Sequence, residues 1–158
     1  MPPTASLNIA DIDFSAQGNW LAPFYARQPD STTNGYLDAS DGRVMNGVFR
    51  DGKVTLTASV ACHMDNDACV HMVRLDGTTI TAFYNYGETG KDYFYPAVTV
   101  DSALNQIVVF NRSSDADYAS VYVTGRRPTD PSGTLRFPPT ALKAGAASYW
   151  DGRCLRPC

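Results

Sequence analysis

Cys62, His63, Cys69 and His71 put two thiols and two imidazoles within one short stretch, with Met64 and Met72 alongside. Sulfur and imidazole donors of this kind suit zinc or copper. Their spacing does not help. It matches neither a C-x2-C nor an H-x3-H pair, and the adjacent Cys62 and His63 would leave a strand on opposite faces. The thiols have a simpler use. Val54 to Val60 alternates apolar residues with Thr and Ser, and Val70 to Leu75 is largely apolar. Two antiparallel strands joined by a short polar loop set Cys62 opposite Cys69, within disulfide reach. A loop-closing disulfide is the expectation, with a Cys/His metal site as its alternative; no cofactor is expected. Disulfides persist in oxidising compartments, so an extracellular or periplasmic location follows. Cys154 and Cys158 form a C-x3-C tail that could close a local bridge. Asp65-Asn66-Asp67 lacks the rest of a calcium loop and reads as a solvated turn.

A second set of residues suits recognition. Tyrosine rings offer flat amphipathic faces that stack on sugars or grip a protein, with a hydroxyl left for hydrogen bonding. Tyr84, Tyr86, Tyr95 and Tyr118 lie near one inter-strand link, together with Tyr93 and Tyr122. Arg112, Asp115 and Asp117 add polar groups on an adjacent loop. The expected ligand-binding residues are Tyr84, Tyr86, Tyr95, Arg112, Asp115, Asp117 and Tyr118. The competing use of each tyrosine is to fill space between sheets.

The elements that position these residues are strands. The 158-residue chain has fifteen aspartates but one glutamate, Glu88, and ten arginines but three lysines. Aspartate favours turns and caps, whereas the depleted Glu and Lys favour helix. Asp51-Gly52 and Asp76-Gly77 are hairpin signals. Strands are expected at 44–50, 53–61, 69–75 and 78–85, then at 94–100, 105–111, 118–126 and 134–143. The only stretch with any helical character is 140–147. Leu7 to Phe14 alternates like an edge strand, with Trp20, Phe24 and Tyr25 as anchors, and 26–42 reads as a loop. The chain thus divides into an arm at 1–43, two four-stranded units at 44–152 and a tail at 153–158. The fold class is all-β: antiparallel four-stranded meanders arranged as a partial β-propeller of two blades.

A net charge of −3 argues against nucleic-acid binding, which needs clustered cations. Arg126-Arg127 before Pro128 reads as a strand end in solvent. No apolar run is long enough to span a membrane as a helix. The N-terminus lacks the basic and apolar regions of a signal peptide, so any export signal would lie upstream. Two bare meanders leave broad sheet faces, so the chain is expected to be a fragment, a sandwich or a homo-oligomer through those faces.

Phe94 to Asp101, Gln106 to Ser114 and Tyr118 to Arg126 resemble a bacterial secreted family of sialidase-like β-propellers. Arg27-Gln28-Pro29 through Asp41-Gly42-Arg43, Val48 to Gly52 and Asp130 to Leu135 fit the same pattern. The resemblance covers about residues 26–152. In that family the chain continues past Tyr149-Trp150-Asp151-Gly152-Arg153 into another blade; here Cys154 to Cys158 departs from it, as a truncation would. Sialidase-type chemistry needs an arginine cluster, a tyrosine nucleophile activated by glutamate and an acid/base aspartate. Arg43, Arg74, Arg112 and Arg126 could serve the first role, but Glu88 sits in a Gly-flanked linker, and the Ser-x-Asp-x-Gly-x-x-Trp turn is missing. The expectation is therefore a non-catalytic extracellular binding or scaffold domain for a glycan or protein, with no catalytic residues assigned. A sialidase-like glycoside hydrolase and a Cys/His metal-binding protein are the alternatives.

Overall fold

The computed structural model describes residues 25–30, 35–40, 42–62 and 67–149. Among them are eight strands and no helix. They form two antiparallel four-stranded meanders. The first is β1 (Val44–Arg50), β2 (Lys53–Cys62), β3 (Asp67–Asp76) and β4 (Thr79–Tyr86); the second is β5 (Asp92–Val100), β6 (Gln106–Ser113), β7 (Ser120–Arg126) and β8 (Thr140–Lys143). Each sheet runs in sequence order, so every connection is local.

Turn chemistry fixes these boundaries. Asp51 and Gly52 both have positive φ (49° and 74°), the paired left-handed geometry that follows strand twist. Gly77, at φ 58°, opens the next hairpin, whose pairing resumes at Asp76 and Thr79. The eighth strand is shorter than its expected 134–143. Pro138 and Pro139 cannot donate to a ladder, so pairing begins only at Thr140. The preceding loop is not idle, because its Leu135 is buried in the core between the sheets. Thr140–Lys143 is strand, which corrects the helical candidate there.

The main core lies where the sheets meet. Val70 and Met72 of β3 pack with Tyr93 and Val98 of β5 and with Val108 and Phe110 of β6. The opposite face of the first sheet is buried too, through Leu56, Ala58, Val60, Val73 and Leu75.

The Thr/Ser half of the β2 alternation has an unexpected use. Thr55, Thr57 and Ser59 are all buried. Thr57 and Ser59 reach β5, whose outer edge pairs with no strand among the described residues. Ser59 Oγ accepts from the Tyr95 amide at 3.0 Å, and Asn46 Oδ1 accepts from the Val98 amide at 2.8 Å. Thr57 Oγ1 donates to the Pro96 carbonyl at 3.3 Å. Side chains of one sheet therefore satisfy edge groups of the other, where bare edge groups would invite foreign strands.

Candidate functional site

Cys62 on β2 and Cys69 on β3 are joined by a disulfide, although the register sets Cys62 opposite Asp67 and Cys69 opposite Val60. Among the described residues no three His, Cys, Asp or Glu side chains gather as a metal would require. His71 is buried, with Nδ1 2.5 Å from Asn85 Oδ1 and its ring edge-on to Phe83. Burial lowers its pKa, outweighing the Asn85 contact. His63, Asp65, Asn66, Trp20, Phe24, Cys154, Cys158 and the Leu7–Phe14 stretch lie outside the described residues.

The richest constellation sits where β4 ends, β5 begins and β6 ends. Tyr93 stacks on Phe110, centroids 4.9 Å apart, and Phe110 stacks on Tyr122 at 6.1 Å. Tyr86 meets Tyr93 edge-on at 5.7 Å. The Arg112 guanidinium lies 3.9 Å from the Tyr122 ring centroid and donates to the Tyr122 hydroxyl at 2.5 Å. The Tyr93 hydroxyl donates to Glu88 Oε1 at 2.8 Å, and Lys91 Nζ donates to Glu88 Oε2 at 2.6 Å. Glu88 is thus held from both sides, although its linker looked mobile from its glycines.

A Tyr–Glu–Arg group is what sialidase-type chemistry would use, but its state here is wrong for attack. Tyr93 is fully buried. Burial and then the Glu88 carboxylate raise its pKa, so the phenol keeps its proton. A nucleophile needs the reverse shift. Lys91 and then Tyr93 lower the Glu88 pKa, which makes it a weaker base. Hence the group fastens the linker to the ladder.

Both ends of the pH scale should report this. Glu88 has a depressed folded pKa, so its contribution is present above the ordinary value near 4.5 and fades as pH falls through the folded value. Tyr93, Tyr86 and Tyr84 have raised folded pKa values, so their contribution is intact below the unfolded tyrosine pKa of about 10 and is lost as pH rises beyond it. Urea unfolding from pH 3 to 11.5 is expected to show both limbs. Tyr93→Phe should flatten the alkaline limb, and Glu88→Gln should flatten the acid limb.

Next to this group lies a buried ionic cluster. Arg27 donates through Nε and its backbone amide to Asp92 Oδ2, each at 2.8 Å, and through Nη2 to Asp67 Oδ1. Asp92 Oδ1 also accepts from the Ala68 amide at 2.9 Å, and Asp67 Oδ2 from the Gly90 amide at 2.8 Å. Both carboxylates are almost wholly buried. Asp67 is therefore no part of a solvated turn. It joins the start of β3 to the 87–91 linker. The Asp92 hydrogen bond leads in raising the Arg27 pKa, keeping the guanidinium charged.

The structure separates the seven expected recognition residues. Tyr86 and Arg112 join the ladder. Asp115 and Asp117 sit in the exposed turn after β6, where Ser114 Oγ donates to Asp117 Oδ2 at 3.1 Å. Tyr118 follows, half-buried, with its Cβ against Gly145. Tyr84, two residues before Tyr86 on β4, lines a small cavity with Arg126 instead. Tyr95 is exposed on the β5 bulge with φ 50°. Arg27, Asp67 and Asp92 carry no local signal, since their partners are 40 and 65 residues apart. Arg126, expected at a solvent-facing strand end, is only 4% exposed.

No protein-family model matches the sequence, and no curated protein and no solved structure matches it.

Proposed function

We propose that this chain is a non-catalytic binding and scaffold domain of β-propeller type, working in an extracellular or periplasmic setting, and that its principal contact is protein on the outer face of the second sheet. One contrast carries this reading. On the far face of the first sheet Leu56, Val73 and Leu75 are buried and Phe49 at the β1 edge is 70% exposed, whereas on the far side of the second Ile107 and Phe137 are 43% and 44% exposed beside one groove. Ala97, Thr99, Val109, Val121 and Val123 share that face, as their cross-strand pairing with one another and with Ile107 requires. Ile107, Val123, Phe137 and Pro138 line an apolar groove of about 270 Å3.

The occupant favoured here is a second copy of the chain. These residues are uncharged and Lys143, opposite Val121, stands at the β8 edge, so the centre of the face can meet itself without like-charge repulsion. A face that meets the same face of its copy closes as a two-fold pair rather than an open chain of copies. Four strands about 4.8 Å apart and seven residues long span on the order of 450 Å2 per copy. That is below the roughly 800 Å2 per partner of a standard interface, so the pair should be weak.

Sedimentation velocity tests this. A concentration-dependent dimer is expected for the wild type and only monomer for Ile107→Lys, with unchanged circular dichroism. Monomer at all concentrations would remove the second copy as the occupant. Turnover of a chromogenic glycoside, abolished by Glu88→Gln, would overturn the non-catalytic reading. A second reading places a glycan at the loops holding Arg112, Asp115, Asp117 and Tyr118, because Asp115 and Asp117 are exposed beside a half-buried ring. Glycan-array binding weakened by Tyr86→Ala or Tyr118→Ala would favour it.

A further inference from the structure

Two arginines are held between the sheets, near where β3 and β7 end. Arg74 of β3 and Arg126 of β7 line a small cavity with Thr55, Tyr84 and Gln106. Met72, Val73 and Ala82 complete its walls. Arg126 Nη2 donates to the Asp130 carbonyl at 2.6 Å and the Pro131 carbonyl at 3.3 Å. Both acceptors are neutral. The Asp130 carboxylate is engaged elsewhere, accepting from the Arg127 amide at 2.7 Å and lying 3.9 Å from Arg136. Among the described residues no carboxylate pairs with Arg74 or Arg126.

Two buried donors at this cavity are left without a protein acceptor, Arg126 Nε and the Tyr84 hydroxyl. Tyr84 cannot serve as the counter-charge. Burial pushes its pKa up to about 12, in spite of the two arginines, so it stays a neutral donor. A buried cation without an opposite charge is costly, and so is each unmet donor. Positive charge and inward donors together describe a site for an anion.

We propose that Arg74, Tyr84 and Arg126 bind one small monovalent anion of chloride size between the two sheets. The cavity leaves about 10 Å3 for the centre of a water-sized sphere, which is room for a single small particle. A sugar carboxylate is too large, so this site is separate from any glycan contact. The anion would receive hydrogen bonds from Arg126 Nε and the Tyr84 hydroxyl and balance charge from Arg74. It would connect β3 and β4 of the first sheet to β7 of the second. The inference is independent of what the outer face of the second sheet binds.

Thermal unfolding at constant ionic strength tests it, with sodium gluconate replaced stepwise by sodium chloride or bromide. A saturable rise in Tm is expected, about 3–6 °C at tenfold excess over Kd. Tyr84→Phe should weaken the apparent halide affinity about 10–150-fold, the loss of one hydrogen bond to a charged group. Arg126→Gln should abolish the saturable rise. If that variant does not fold, Tyr84→Phe and a bromide-soaked crystal decide. An anomalous bromide peak in contact with Arg126 Nε and the Tyr84 hydroxyl would support the site. Water at that position with bromide only on the surface would overturn it. So would equal Tm in gluconate and halide, or a Tyr84→Phe response identical to wild type.

Discussion

Replacing Arg27 by methionine is expected to cost about 3–5 kcal/mol of stability, the range for removing one partner of a buried ion pair. The size follows from what remains. Asp67 and Asp92 would keep side chains 0% and 2% exposed while losing the cation between them. Backbone amides would remain on both, from Gly90 on Asp67 and from Ala68 and residue 27 itself on Asp92, and they offset only part of the negative charge. They would also repel each other. Arg27→Lys should recover part of the loss, because lysine keeps the charge but not the planar fork that reaches both carboxylates. Adding Asp67→Asn to Arg27→Met should recover stability as well, by deleting one of the stranded charges. Urea unfolding of the three variants checks this. An Arg27→Met protein within 1 kcal/mol of wild type would show that the cluster contributes little.

Phe110→Ala is expected to be nearly as damaging, also about 3–5 kcal/mol. Phe110 is 1% exposed and stands at the centre of the ladder, stacked on Tyr93 and Tyr122 and edge-on to Tyr86. Truncation removes its own burial and also leaves a hole among three rings from three strands. For a domain of this size the Tm should fall by about 6–20 °C. Phe110→Leu, which retains most of the volume, should fall much less. Similar Tm values for the two variants would mean that the ladder closes up freely around the gap.

Much of the strand layout was legible because hairpins are local. Asp-Gly pairs, short alternating runs and prolines act over a few residues, and they marked seven of the eight strands closely. The Cys62–Cys69 bond was legible for the same reason, since a short loop keeps its flanking strands close, although the residue opposite Cys62 is Asp67 and not Cys69. The eighth strand was overextended because Leu135 looks like a strand residue although it serves as a plug from a loop. The β2 alternation shows an apolar and a polar half, and the polar half, Thr55, Thr57 and Ser59, is buried as well. Alternation reveals which residues share a face, and it is silent on what that face meets. Arg27 finding Asp92 across 65 residues, and Arg126 turning inward, depend on how two sheets approach. No spacing rule within either sheet contains that approach.

The hydroxyl row on β2 has a consequence for the order of assembly. The first meander can form from neighbouring hairpins alone. The second leans on it, since among the described residues the flank of β5 meets acceptors and donors on Ser59, Asn46 and Thr57 of the first. A growing chain presents the earlier meander first, so the later one docks onto a prepared surface. The two halves are therefore unequal, one a template and the other its dependent, despite their matching strand counts.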